Sequence, residues 1–551
     1  MIAHVSIRSK SFGNQELYKD LDMKFQANEK VGIVGRNGTG KTTLLNILSG
    51  EDTDFDGNVH IKKNLVLVSS KQEHHDHEEE KVIDYIAAGL PEYTALKHKM
   101  DTLPEKMESR PHLMQVYSDA LDRFTQLGYF NVESDIAQAL EAYQVPAEKI
   151  DGLINELSGG QKRMVELVKV QRSKSQMALI DEPTNHMDYV AKSSFIDWMK
   201  QVNTTLIVIT HDRDVLAEVD RIIEVRDGQA YAFKGNYDDY LKENTIQVTS
   251  QLNEYQVTKQ RLENLKESII RFRRLKDKAR NPKTVSQFKR LENNAIDELA
   301  QLEEVDKPSF WIDKESASNM KSKVTDAYDE HKARNITIRT KKSDSKSSIK
   351  LIDVHKLSLG YEEPLFDNTS FQLREGDRLE IKGRNGVGKT TLVKAILASA
   401  GGQKISSTVY GGDIVLDKVI KIGVYEQELA QEYLKGTLSS AIERTYRDKD
   451  LKINDEKIKQ LMNDYLFDPH ADFDKPVTTL SGGQKARLQL VSMLAGEPNV
   501  LVLDEPTNHL DLPSIEELED ALNQYQGAII FISHDSYFTK NLNASVLTIP
   551  S

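Results

Sequence analysis

Short apolar runs that end on glycine-rich or acidic stretches recur along this chain. Val31-Gly32-Ile33-Val34 leads into a glycine-rich loop, and Thr42 to Leu48 continues at helical spacing. Met177 to Ile180 and Leu206 to Ile209 are apolar at consecutive positions. Runs this short, apolar on both faces, predict parallel strands buried inside a sheet. Leu379-Glu380-Ile381, Val500 to Leu503 and Ile529 to Ile532 repeat the pattern later in the chain. The start, Met1 to Ser6, alternates like a strand and lacks the apolar core of a signal peptide.

A different pattern separates the two strand-rich regions. Tyr240 to Lys278 contains neither Gly nor Pro, and Leu252, Tyr255, Leu262, Leu265, Ile269 and Phe272 recur at steps of three and four. That spacing predicts one helix of about 40 residues, roughly 60 Å long. Asn281-Pro282 must break it. A return limb is expected to follow, with Val285, Phe288, Leu291, Ile296, Leu299 and Leu302 on one face. A polar helical stretch is expected over 313–333, and Ser343 to Ser348 reads as a flexible lead into the second region. The predicted organisation is therefore 1–240, a linker over 241–345 and 346–551.

The outer regions are copies of one another. Gly35-Arg36-Asn37-Gly38-Thr39-Gly40-Lys41-Thr42 matches Gly383-Arg384-Asn385-Gly386-Val387-Gly388-Lys389-Thr390. Leu157-Ser158-Gly159-Gly160-Gln161 matches Leu480-Ser481-Gly482-Gly483-Gln484. Ser158 to Asp181 and Ser481 to Asp504 both span 23 positions, and Glu182 to His211 and Glu505 to His534 both span 29. Such agreement identifies a duplicated unit. The first copy has about 32 more residues before its Ser-Gly-Gly-Gln run, expected within 87–134 and punctuated by Pro91, Pro104 and Pro111. They are read as a protruding helical hairpin, with an ordinary surface insertion as the alternative.

A Gly-rich loop between strand and helix is a phosphate cradle: its N–H groups can approach an anion that side chains would exclude, and the helix N-terminus adds positive potential. Gly35, Asn37, Gly38, Gly40, Lys41, Thr42 and Thr43 would hold one nucleotide, and Gly383, Asn385, Gly386, Gly388, Lys389, Thr390 and Thr391 a second. The lysines would reach the β- and γ-phosphates, and Thr42 and Thr390 would offer hydroxyls to Mg²⁺. Asp181 and Asp504 end apolar strands, suited to the same ion. Glu182 and Glu505 are suited to polarise an attacking water, and His211 and His534 to contact the γ-phosphate. Helix capping would explain one acidic pair, but not two followed by Pro-Thr-Asn-His.

Composition narrows the partners. The chain has no Cys, which removes disulfides, thiolate metal sites and cysteine nucleophiles and fits a reducing cytoplasm. No window approaches the roughly 18 apolar residues of a membrane span, so any membrane domain would be a separate chain. Net charge is −13, yet Arg271 to Arg290 holds nine basic residues against Asp277 alone. That local +8 opposes the sign of the whole and points to a polyanion, against the bland reading of a solvated helix face.

The Leu-Ser-Gly-Gly-Gln runs between phosphate loop and Asp-Glu pair resemble the signature of ABC ATPases. The resemblance implies an α/β fold of two ABC-type P-loop nucleotide-binding domains, joined here by a long α-helical hairpin, paired head to tail around two ATP molecules. One site would unite Lys41, Thr42, Gln72, Asp181, Glu182 and His211 with Ser481, Gly482, Gly483 and Gln484 from across. The other would unite Lys389, Thr390, Gln427, Asp504, Glu505 and His534 with Ser158, Gly159, Gly160 and Gln161. Gln72 and Gln427 would join the Mg²⁺ ligands, Phe12 and Tyr361 would stack on adenine, and Asp188 and Asp511 match the family's D-loop. Phe12 reads equally well as an edge-of-sheet aromatic. The pairing is intramolecular, so a monomer is expected.

Tandem cassettes, the insertion and the basic linker resemble the ABC-F group, most specifically at Arg271-Phe272-Arg273, Lys278-Ala279 and Phe288-Lys289-Arg290-Leu291-Glu292. Membership implies cytoplasmic binding to the ribosome near the tRNA exit site, with contacts to rRNA, tRNA and large-subunit proteins. The linker tip (Arg271, Arg273, Arg274, Lys276, Lys278, Arg280, Lys283, Lys289 and Arg290) would face tRNA and the peptidyl-transferase centre. Antibiotic ribosome protection is the reading taken. A housekeeping translation factor that relieves stalled ribosomes is one alternative. A soluble ATPase subunit of a membrane transporter is another, which the basic linker disfavours. Zero Cys disfavours the zinc-bearing DNA-repair relatives and excludes the cluster-bearing recycling ATPases.

Overall fold

The computed structural model describes residues 1–12, 15–70, 78–107, 110, 113–185, 187–303, 349–401, 406–425, 431–465, 467–480, 482–508 and 510–550. The chain divides into two compact units, Met1–Tyr237 with Asn335–Ser551, and Asp238–Arg334. Both cassettes lie in the first unit.

Each cassette is built on a sheet whose central strands are parallel. In the first copy the spatial order is Leu67–Ser69, Met177–Asp181, Thr205–Ile209, Lys30–Val34, Arg221–Arg226 and Gln229–Lys234, the last strand antiparallel to its neighbour. In the second it is Ile422–Tyr425, Val500–Asp504, Ala528–Ile532, Arg378–Lys382 and Ser545–Thr548. Side chains of successive residues leave a strand on opposite faces, and here both faces are covered. Ala178, Ile180, Leu206 and Val208 enter one hydrophobic cluster with the helical part of the cassette. Met177, Leu179, Ile207 and Ile209 enter another with the helix Lys41–Ser49 and a three-stranded antiparallel sheet. This two-sided burial is why the runs read as continuous apolar stretches instead of alternating ones.

The stretch expected to form the arm contains two helices, Tyr93–Met107 and Leu113–Leu127. Pro104 lies inside the first and does not end it. The base is tied by Tyr93, Phe124 and Tyr129, whose rings lie 5.4 to 5.8 Å apart, and by Arg123 on Glu92 at 2.7 Å.

The second unit is a helical hairpin. The helix Tyr237–Lys278 runs for 42 residues, and Pro282–Glu303 returns. Pro282 takes the first helical position, where its missing N–H costs nothing, while Asn281 Oδ1 accepts from the N–H of Lys283 at 3.0 Å. Leu265, Ile269 and Ala295 are buried in the seam, with Leu299 packed against them. The return face therefore differs from the expected one. Leu291 and Ile296 are exposed, at 39% and 37%, whereas Glu292 is buried. The seam follows 288, 292, 295 and 299, the alternating steps of four and three that keep one stripe on a neighbouring helix. Glu292 is tolerated there because Arg273 and Lys276 both bind it, at 2.7 and 2.5 Å. The side chains of Leu252, Tyr255 and Leu302, and the stretches 313–333 and 343–348, lie outside the described residues.

Candidate functional site

Three adjacent parallel strands deliver the first site's chemistry to one edge. Asp181 is level with Ile209, and Ile209 with Ile33, so the Asp-Glu pair, His211 and the phosphate loop emerge together. Ligands of such sheets bind beyond the carboxyl ends of the strands. Asp504 is likewise level with Ile532.

Each loop closes on a left-handed glycine, Gly40 at φ 94° and Gly388 at φ 96°, directly before its helix. A Cβ on Gly40 would lie 2.6 Å from the Tyr18 hydroxyl, so close packing and backbone conformation both require glycine. Lys41 Nζ donates to the carbonyls of Gly35 and Arg36 at 2.7 and 3.1 Å, and Lys389 to those of Gly383 and Arg384 at 2.8 and 3.0 Å. Burial pushes both lysines below their ordinary pKa, against the pull of Glu182 on one and Glu505 on the other. Thr42 Oγ1 donates to Asp181 at 2.7 Å, and Thr390 Oγ1 to Asp504 at 3.2 Å. A cavity of about 390 Å³ opens over Asn37, Gly38, Lys41, Thr42, Asp181 and Glu182.

The glutamates share an unusual backbone, φ 46° at Glu182 and 47° at Glu505. Their N–H groups bond to Ile209 and Ile532 carbonyls at 2.8 and 2.9 Å, which fixes each glutamate to the strand that ends beside its histidine. Burial, then the Asp504 charge, pushes Glu505 up to about 8, and burial and Asp181 push Glu182 the same way. Once ionised, a carboxyl so raised is a stronger base than a solvated one. Burial, then Lys389, pushes His534 down to about 4; burial and Lys41 do the same to His211. Both imidazoles are therefore neutral at pH 7.

The cassettes meet at the phosphate loops. Asp188 Oδ2 accepts the N–H of Asn385 at 3.0 Å, and Asp511 Oδ2 that of Asn37 at 3.0 Å. Ser158 caps the helix Gly159–Arg172 in a reciprocal box with Gln161 and is exposed. Gly482, Gly483 and Gln484 open the matching helix Gly482–Leu494. Tyr361 is exposed beside Tyr410, whose hydroxyl donates to its carbonyl at 3.0 Å. Gln72, Gln427, Ser481 and the side chain of Phe12 lie outside the described residues. Of the linker's basic residues, Arg273 and Lys276 are engaged by Glu292, while Arg271, Arg274, Lys278, Arg280, Lys283, Lys289 and Arg290 are exposed.

Sequence reasoning missed Arg163, which donates to the Glu182 carbonyl at 2.8 Å, and a charged cluster at the cassette contact formed by Lys192, Arg213 and Glu519. The repeat breaks at each of these three positions, but it also breaks at most positions around them, so the sequence carries no signal that singles the cluster out.

A family model described as ABC transporter matches residues 18–185 and 366–508, more than half the chain, and a second of the same description matches 223–321. The probable ATP-binding protein YbiT of Escherichia coli O157:H7 is 29% identical over 548 residues, covering 98% of this chain and 94% of that protein. ABC transporter F family member 5 of Arabidopsis thaliana is 28% identical, covering 98% and 75%. Among solved structures, the archaeal ribosome recycling factor aABCE1, in complex with the ribosomal stalk protein aP1, aligns at a TM-score of 0.57. It covers 98% of this chain and 86% of its own at 17% identity, a likeness of fold.

Proposed function

This chain belongs to the ABC transporter family, as an ATP-hydrolysing ATPase of the ABC-F type, and from that premise we propose that its cassettes close on two ATP molecules and in that form bind the ribosome. The linker tip then acts near the tRNA exit site on tRNA and the peptidyl-transferase centre, protecting the ribosome from antibiotics. The observation that carries the closed form is the reciprocal pair of contacts, Asp188 to Asn385 and Asp511 to Asn37. Each phosphate loop is thereby braced by the opposite cassette, and a nucleotide seated in one loop lies where closure can engage it from the other side.

Within each site the proposed roles follow from chemistry. Lys41 and Lys389, now turned onto their own loop carbonyls, would swing to the β- and γ-phosphates, where a desolvated ammonium regains an anionic partner. Glu182 and Glu505 would take the proton of the attacking water, and His211 and His534 would contact the γ-phosphate as neutral donors. Thr42 with Asp181, and Thr390 with Asp504, fit Mg²⁺: each offers hard oxygens already facing one another. Gln72 and Gln427 complete those sets in this reading, and the bound ion would neutralise phosphate charge. The signature turns at Ser158 and Ser481 would complete the sites from across.

Ribosome engagement is supported by the exposed basic residues clustered at the bend of the hairpin, since contacts to rRNA and tRNA phosphates require such a cluster on an otherwise acidic protein. No helix among the described residues is long and apolar enough to cross a membrane, and the working compartment in this reading is the cytoplasm. The test is co-sedimentation of a Glu182→Gln, Glu505→Gln double variant with purified ribosomes. With ATP present it is expected in the pellet, and without ATP in the supernatant. A double variant that binds ATP yet stays in the supernatant refutes the proposal.

A further inference from the structure

The two cassettes match residue for residue at Ser158 and Ser481, Asp181 and Asp504, Glu182 and Glu505, Asp188 and Asp511, and His211 and His534, always 323 positions apart. At the same offset Lys192 falls opposite Ile515, and Arg213 opposite Ser536. Lys192 and Ile515 line one cleft between the cassettes, of about 220 Å³. At this contact an ammonium on one side therefore stands where the other side has an apolar side chain.

Lys192 is buried, with 7% of its side chain exposed. Its ammonium lies 2.9 Å from Asp212 and 2.5 Å from Asp214, both in its own cassette, and donates to the carbonyl of His534 across the contact at 2.9 Å. An ammonium has three protons, and here it meets three acceptors. Burial works against its charge, but Asp212, Asp214 and Asp535 outweigh that and hold it protonated. The surroundings reinforce the hold on the segment that follows His534. Arg213 bridges Glu519 at 2.5 Å and Asp535 at 3.1 Å, and Asp214 accepts from the Ser536 hydroxyl. The ring of Tyr537 lies 5.3 Å from the Arg213 guanidinium and 6.0 Å from the ring of Tyr237.

Among the described residues the other site has no such clamp, since the Ile515 side chain has no donor for the His211 carbonyl. The histidines differ accordingly. His534 Nε2 stands 3.1 Å from Glu505 Oε1, whereas His211 Nε2 stands 3.7 Å from Glu182 Oε1, and among the described residues neither ring nitrogen of His211 has a hydrogen-bond partner.

We infer that Lys192 of the first cassette positions His534 of the second, so that the Lys389 site is assembled by the cassette contact and turns ATP over faster than the Lys41 site. Lys192 is a positioning residue: it touches the peptide of His534, and acts on the reaction through the ring that this peptide carries. The inference rests on the reading of Glu505 and His534 as members of a hydrolytic site.

The test uses the full chain in two parents, Glu182→Gln, in which the Lys389 site works alone, and Glu505→Gln, in which the Lys41 site does. Lys192→Met is introduced into each, and kcat and KM for ATP are measured. Misplacing a group that acts on the reacting atoms lowers kcat, and the expected loss in the first parent is about tenfold or more. KM should stay within about twofold, and the loss in the second parent should be at least about fivefold smaller. A second variant, Lys192→Met with Asp214→Asn, removes a carboxylate left without its cation and is expected to give the same split, with a melting temperature near that of the parent. Equal losses in both parents, a rise in KM in place of a fall in kcat, or no loss in either overturns the inference. Parents that both hydrolyse ATP like the unmodified protein would instead show that the glutamate assignment is wrong, and the inference would fall with it.

Discussion

The carboxylate of Asp511 accepts the backbone N–H of Asn37 at 3.0 Å, joining residues 474 positions apart. Its other oxygen caps the helix Leu512–Gln524 through the N–H of Ser514 at 3.1 Å. One carboxylate thus holds a helix start in its own cassette and a phosphate loop in the other. Asp511→Asn keeps an oxygen for the cap but removes the charge from the crossing bond. A hydrogen bond to a charged group contributes about 1.5–3 kcal/mol, so ATPase activity is expected to fall roughly tenfold or more. Steady-state hydrolysis checks this, and unchanged turnover would mean that the crossing contact does not serve closure.

The basic tip offers a prediction with a salt signature. Neutralising the exposed Arg271, Arg274, Lys278, Arg280 and Lys283 removes phosphate partners without touching the seam. Each lost phosphate contact flattens the slope of log affinity against log salt by about 0.7–0.9. Ribosome binding of the fivefold variant is expected to weaken and to lose salt dependence, while ATP hydrolysis without ribosomes persists. Titration at several salt concentrations distinguishes this from a folding defect.

Glu292 predicts the opposite behaviour. Its carboxyl is held below the ordinary carboxylate range by hydrogen bonds from Lys276 and Arg273. A carboxyl depressed in the folded state stabilises it above the ordinary carboxylate pKa, and that support is lost as pH falls through the depressed value. Glu292→Ala should loosen the hairpin tip at neutral pH, seen as faster amide exchange over 268–292 than in the unmodified protein. Acidification to well below the ordinary carboxylate range should produce the same change without mutation. Unaltered exchange in the variant would mean that Glu292 contributes little to the seam.

The antibiotic reading has its own trial. Expression in a sensitive host is expected to raise tolerance to at least one drug of the large subunit, across lincosamide, pleuromutilin, streptogramin, macrolide and phenicol panels, and the Lys41→Ala, Lys389→Ala variant is expected to abolish it. Growth indistinguishable from the empty host on every panel would favour the translation factor.

Much of this protein can be read from local order. The phosphate loops, the acidic strand ends, the 42-residue helix and its stop at Asn281-Pro282 each depend on residues a few positions apart, and steric and hydrogen-bond rules act at that range. The equal spacing of the two copies told that they share one architecture. The sequence pattern misplaced the return face of the hairpin, because it counts apolar residues and Glu292 is a carboxylate. Only its pairing with Arg273 and Lys276 on the other limb makes its burial tolerable.

What only the tertiary structure decided is how the copies meet. No periodicity relates Asp511 to Asn37, or Lys192 to His534. Those contacts depend on two rigid sheets bringing distant strand ends together, and on the removal of water that gives a buried ammonium or carboxylate its strength. The duplication was written in the chain, but the inequality of its halves emerged only where they touch.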